Sequence, residues 1–143
     1  MKRIIILLMI ALILISSGGC RRESVLVEIE PRTIPLSKIY VTVMEISFTN
    51  LTDKEIFIPD FVPDYYFHDG RNWVKQPQGA RYLLPFPKTI EPGETVIGYF
   101  SFPVISVNNH RYKFNRGKYK LEYKGFYGDY ESRGVWSVVF RVT

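Results

Sequence analysis

The sequence predicts an all-β protein, a two-sheet sandwich of about seven short strands preceded by an N-terminal signal segment. Three observations carry this reading. All 22 aromatic residues (10 Phe, 10 Tyr, 2 Trp) lie beyond the first 19 residues. Apolar side chains recur there with a period of two, and clusters of Pro, Gly, Asn and Asp punctuate the runs. Aromatic and β-branched residues alternating with polar ones fit a half-buried pleated surface. No amphipathic helix of useful length, internal repeat or low-complexity segment competes with it.

The first element is the leader. Lys2 and Arg3 precede an apolar run, Ile4 to Ile15, and then Ser16, Ser17, Gly18, Gly19 and the single cysteine, Cys20. A charged start, an apolar middle and small residues before a cut are the parts of an export signal. As a helix the run would rise about 18 Å at ~1.5 Å per residue, too little for a hydrocarbon core of about 30 Å. Small residues let a peptidase approach the backbone, and Cys20 supplies a thiol to be acylated. The segment resembles the bacterial lipoprotein signal peptide. That resemblance implies loss of residues 1–19, acyl chains on Cys20, a short tether over residues 20–23, and a domain over residues 24–143. The domain would sit on a membrane of the bacterial cell envelope, either the outer membrane or the outer face of the plasma membrane. Two or more acyl chains, at ~0.8 kcal/mol per buried methylene, anchor stably.

The remaining 124 residues are a normal size for one domain and bury about two-thirds of their unfolded surface. With Cys20 acylated, no thiol is left for a disulfide. The balance of 17 basic against 14 acidic residues is too mild to argue for nucleic acid.

Val25, Val27 and Ile29 share one face of a first strand, with Glu28 and Glu30 opposite, and Pro31 and Pro35 end it. Ile39, Val41 and Val43 then alternate in one phase and Met44, Ile46 and Phe48 in the other. One long strand with a bulge near Met44, or burial on both faces, is the expectation. Asn50 to Lys54 has turn chemistry, and Ile56 and Ile58 resume the alternation. Prolines 59, 63, 77, 85 and 87 exclude long central strands from the next stretch. Within it, Tyr65–His68 and Asn72–Val74 flank Asp69-Gly70, a hairpin signal. Glu91-Pro92-Gly93-Glu94 is a tight turn launching a strand from Thr95 to Phe102. A connection over Pro103–Arg116, with Asn108-Asn109 at its tip, leads to a strand with Tyr119, Leu121 and Tyr123 on one face. Lys118, Lys120, Glu122 and Lys124 occupy its other, wet face. The last strand turns Trp136, Val138, Phe140 and Val142 inward.

This order of elements resembles the immunoglobulin-like domains of bacterial envelope lipoproteins. The residues that carry the resemblance are Asn50 to Lys54 after a long strand, Ile90 to Glu94 before another, and Gly117-Lys118-Tyr119-Lys120-Leu121 at a strand start. Such a fold hosts many functions and assigns none.

Catalytic chemistry finds no support, and no cofactor is implied. His68 adjoins Asp69, but neighbours on a strand point to opposite faces and do not orient one another. No His, Cys or carboxylate spacing collects a zinc site. Asp60, Asp64 and Asp69 lack the loop pattern of a calcium site, and no phosphate-binding loop occurs. A non-enzymatic role follows.

Binding is the better expectation. Phe57, Phe61, Tyr65, Tyr66, Phe67, Trp73, Tyr82 and Phe86 crowd a proline-broken stretch. Such rings either plug one end of the sandwich as a satellite core or stack on a ligand. Tyr65, Tyr66, Trp73 and Tyr82 are the binding candidates, since a hydroxyl or indole N–H tolerates water. Phe126, Tyr127 and Tyr130 form a second, weaker patch. The basic stretch His110, Arg111, Lys113, Arg116, Lys118, Lys120 and Lys124 reads as a solvated edge strand guarded by lysines, or as a positive face toward anionic head groups or an acidic polymer, with Arg21 and Arg22 acting in the same direction. The expected role is a lipid-anchored, non-catalytic binding or assembly module with an envelope protein as partner. A glycan- or peptidoglycan-binding module and an inhibitor of an exported protease are the alternatives.

Overall fold

The computed structural model describes residues 24–78, 87–107, 110–128, 130 and 132–143. Two sheets pack against each other. In the first, β3 (Met44–Asn50) lies between β1 (Val25–Glu30) and β8 (Thr95–Phe100), all antiparallel. In the second, β11 (Gly117–Tyr127) pairs along one edge with β12 (Ser132–Val142). Along its other edge run β4 (Ile56–Ile58) and β5 (Asp64–His68), end to end. β7 (Lys88–Ile90) pairs with β4, and β6 (Trp73–Lys75) with β5. β2 (Thr33–Ile34) joins the far end of β12 in parallel. β9 (Ser106–Val107) and β10 (His110–Arg111) form a separate small hairpin. β1, β3 and β8 in one sheet with β12, β11 and β4–β5 in the other is the strand order of an immunoglobulin-type sandwich.

β4 and β5 are one strand, interrupted. Phe57 stands opposite Phe126 and Asp64 opposite Glu122, so residues 58–63 run against residues 123–125. Pro59 and Pro63 cannot donate to a ladder, and the chain leaves the sheet between them.

The period-two pattern maps onto burial. Met44, Ile46 and Phe48 are fully buried while Glu45 is exposed. Tyr119, Leu121 and Tyr123 face the core from β11, and Trp136, Phe140 and Val142 from β12. Aromatic rings fill much of the interior. Phe102 meets Phe114 at 4.7 Å, Tyr119 at 5.2 Å, Phe100 at 5.4 Å and Phe140 at 5.8 Å between centroids. Edge-to-face pairs of this kind contribute ~0.5–1.5 kcal/mol each beyond their area.

Two polar anchors hold the ends. Asn50 is fully buried, and its amide donates to the carbonyls of Lys54 (2.8 Å) and Ile90 (2.9 Å). Its Oδ1 accepts from the Thr52 N–H (3.0 Å) and hydroxyl (2.7 Å), closing the turn that follows. At the opposite end the Tyr119 hydroxyl donates to the Asn115 carbonyl (2.9 Å) and accepts from the Asn115 N–H (3.0 Å). This is the tyrosine corner of Greek-key sandwiches.

Three expectations need correction. The alternation at Ile39, Val41 and Val43 is not strand: Leu36–Lys38 is a 3-10 turn. The Lys38 carbonyl then accepts from Val41 N, Thr42 N and the Thr42 hydroxyl. Ile39 is buried, but Val41 and Val43 point to solvent, so the phase change is the end of a turn and not a bulge. The strand after the Gly93 turn stops at Phe100. Finally β11 is no edge strand, being paired on both sides.

Candidate functional site

The outward residues of the second sheet form rows across its strands. Arg141 pairs with Lys118 and His68 with Trp73, and Val139, Lys120, Tyr66 and Lys75 make the next row. Ser137, Glu122 and Asp64 make a third, and Val135 and Lys124 a fourth. Tyr66 and Trp73 are half-buried here, on neighbouring strands. The Lys120 ammonium lies 4.6 Å from the Tyr66 ring centroid and 5.5 Å from that of Trp73. Cations over rings gain ~0.5–1 kcal/mol at exposed sites and more when desolvated. His68 packs edge-on against Trp73 at 4.9 Å.

Beneath the rings runs a charge network. Glu122 receives Lys120 at 3.0 Å and the Tyr66 hydroxyl at 3.2 Å, with Lys124 at 3.7 Å. Asp64 receives Lys75 at 3.0 Å, Lys124 at 3.1 Å and the Gln78 amide at 2.8 Å. Burial alone would raise both carboxyls. In Asp64 the bonds from Lys75 and Lys124 outweigh it, and in Glu122 the bond and charge of Lys120 do, so both sit below the usual carboxylate range. Burial and the charges of Glu122 and Asp64 push the Tyr66 hydroxyl up. The bond and charge of Asp64 raise Lys124. The face that reads from sequence as wet is so at Lys118 and Lys124, which are exposed, whereas Lys120 and Glu122 are half-buried, with Lys120 beside the two rings.

The four aromatic candidates separate. Tyr65 is 3% exposed, packed among Phe100, Phe102 and Phe114, with its hydroxyl bonded to the Pro77 carbonyl. It is core and presents no surface. Tyr66 and Trp73 share the outer face, whereas Tyr82 and Cys20 lie outside the described residues. The second patch also divides. Tyr127 packs inward on Trp136 at 5.6 Å, while Tyr130 covers Phe57 at 5.1 Å and Phe126 at 6.2 Å on the outer side. Phe57 escaped the sequence reading as a member of this group, since 69 positions separate it from Phe126 along the chain.

The outer face of the first sheet has the opposite character. Its rows are Leu26, Thr49 and Thr95; Glu28, Ser47 and Ile97; and Glu30, Glu45 and Tyr99. Glu28, Glu30 and Glu45 are all exposed, with Arg32 3.8 Å from Glu28, around a shallow cleft.

Among the described residues no group of three or more His, Cys, Asp or Glu is arranged to hold a metal ion, and no helix is long and apolar enough to cross a membrane. The chain matches no protein-family model, no curated protein and no solved structure.

Proposed function

We propose that this chain is a lipid-anchored, non-catalytic binding and assembly module of the bacterial cell envelope, held at the membrane through Cys20 and engaging an envelope protein with the outer face of its larger sheet. The observation that carries the reading is the placement of Tyr66 and Trp73. They stand side by side on rigid strands, half-exposed, with Lys120 fixed against both. Such rings offer large contact area at low entropic cost. The acidic side chains of the same face serve it structurally, each holding lysines in place.

Two measurements test this. Cys20→Ser should move the protein from the membrane fraction to the soluble envelope fraction, and persistence in the membrane would refute the anchor. Cross-linking in intact cells followed by purification should recover an envelope protein with the wild type and lose it with Tyr66→Ala or Trp73→Ala. Recovery of no protein would favour a glycan stacked on the same rings.

A further inference from the structure

We propose that the two outer faces of the sandwich are complementary, and that the acidic face of the three-stranded sheet docks on the basic face of the larger sheet of a second copy of this chain. The inference names the partner of the assembly surface described above and rests on that reading.

Charge is the first argument. Glu28, Glu30 and Glu45 are exposed together on the first sheet. On the second sheet Lys75, Lys120 and Lys124 pair with Asp64 and Glu122, and the exposed Lys118 and Arg141 add further positive charge, so the face stays net basic. The two surfaces of one chain thus carry opposite sign, and complementary potentials steer association and fix register.

Apolar exposure is the second. The acidic face presents Leu26, Ile97 and Tyr99 at 45%, 50% and 68% exposure. The basic face presents Val135 and Val139 at 61% and 47%, beside the half-exposed Tyr66 and Trp73. Each face therefore offers side chains worth burying as well as charges to orient them. Outer sheet faces can also stack at the ~10 Å spacing that sandwiches use internally.

Geometry is the third. Both faces flank the strand direction, and Ser24, whose carbonyl accepts from Leu51 N, lies at one end of the strands. A four-residue link from Cys20 reaches at most about 14 Å at ~3.5 Å per residue. Copies anchored this way are held close to one membrane surface with the Ser24 end of the strands toward it, which brings their outer sheet faces within reach of one another. The contact joins different faces, so it is heterologous and propagates as a row instead of closing as a two-fold dimer.

The experiment is sedimentation velocity on the purified full chain in detergent micelles, over a concentration series at low and high salt. One variant carries Glu28→Lys and Glu45→Lys, and the other Lys118→Glu and Arg141→Glu, all at exposed positions. The wild type should grow with concentration at low salt and dissociate at high salt. Each variant should remain a single copy, and an equimolar mixture should regain association, because each retains one native face. Single copies of wild type under all conditions would overturn the proposal. So would a species that stops at two copies and survives both reversals, or a mixture of variants, folded by circular dichroism, that fails to associate. A single-copy wild type that still retains another envelope protein overturns self-docking alone and leaves the assembly reading standing.

Discussion

The side-chain amide of Asn50, at the end of β3 in one sheet, donates at 2.9 Å to the carbonyl of Ile90, at the end of β7 in the other. This bond crosses between the sheets in a place where neither group sees water. The Asn50 backbone adds to the junction, donating to Glu94 and accepting from Gly93. One residue therefore joins the β3–β4 turn, the β7–β8 turn and both layers.

Asn50→Ala should destabilise the fold by about 1–3 kcal/mol, since the buried Ile90 carbonyl loses its side-chain donor, whereas the Lys54 carbonyl keeps the Thr52 hydroxyl. Urea unfolding would show it as a lower midpoint at unchanged slope. A midpoint within error of wild type would mean that water replaces the amide.

Tyr119→Phe keeps the ring among Phe67, Phe102 and Phe140 but removes both bonds to Asn115. The expected loss is about 1–2 kcal/mol with the fold retained. Burial pushes this hydroxyl up to about 12, so tyrosinate absorbance should appear at lower pH in the unfolded chain than in the folded one.

Tyr65 and Tyr66 should respond oppositely to truncation. Tyr65→Ala opens the core and should cost about 3–5 kcal/mol, as for buried aromatics. Tyr66→Ala should cost about 1 kcal/mol or less and act on partner capture. Thermal melts of the two variants, run beside the cross-linking assay, separate the roles, and equal destabilisation would contradict the assignment.

Acid should weaken the contact between β5 and β11. The folded pKa values of Asp64 and Glu122 are depressed. Their contribution is therefore present above the ordinary carboxylate range and is lost as pH falls through the folded values. Lys124 is raised, so its contribution is present below the ordinary lysine range and fades at higher pH. Asp64→Asn should flatten the stability profile below about pH 5, and a profile parallel to wild type would show the network to be inert.

Gly125→Ala should be poorly tolerated. A Cβ there would stand 2.3 Å from the Phe57 carbonyl oxygen and 2.9 Å from the Trp136 ring. Backbone cannot yield as a side-chain tip does, so soluble yield and melting temperature should both fall. An unchanged melting temperature would mean that β4 can shift outward.

Much of the fold is legible in the sequence because its strands alternate cleanly. β1, β3, β11 and β12 each turn inward the residues that their period predicts, with Val25, Val27 and Val138 only partly buried. The turns at Asn50 and Gly93 are legible for the same local reason, as one uses an Asn side chain and the other a Gly at φ 79. What escapes is non-local. A turn after Leu36–Lys38 mimics alternation over five residues, and only tertiary context tells Val41 from a core valine. Whether the lysines of β11 guard an edge depends on which strand pairs beside it, and that strand is split by prolines. The acidic and basic sets are visible separately, but their placement on opposite sides follows from sheet order.

The three extra residues between β4 and β5 have a consequence for sequence change. Ile56 and Ile58 point inward from even-numbered positions, while Tyr65 and Phe67 do so from odd-numbered ones. An odd insertion has reversed the parity of the strand. Removing one residue from Pro59–Pro63 would force the chain either to stretch the loop or to slip by one, and a slip turns every side chain to the other face. Tyr66 and His68 would then enter the core, and Tyr65 and Phe67 would become surface. The length of a short proline loop, more than the chemistry of the rings, assigns one tyrosine to the interior and its neighbour to the outside world.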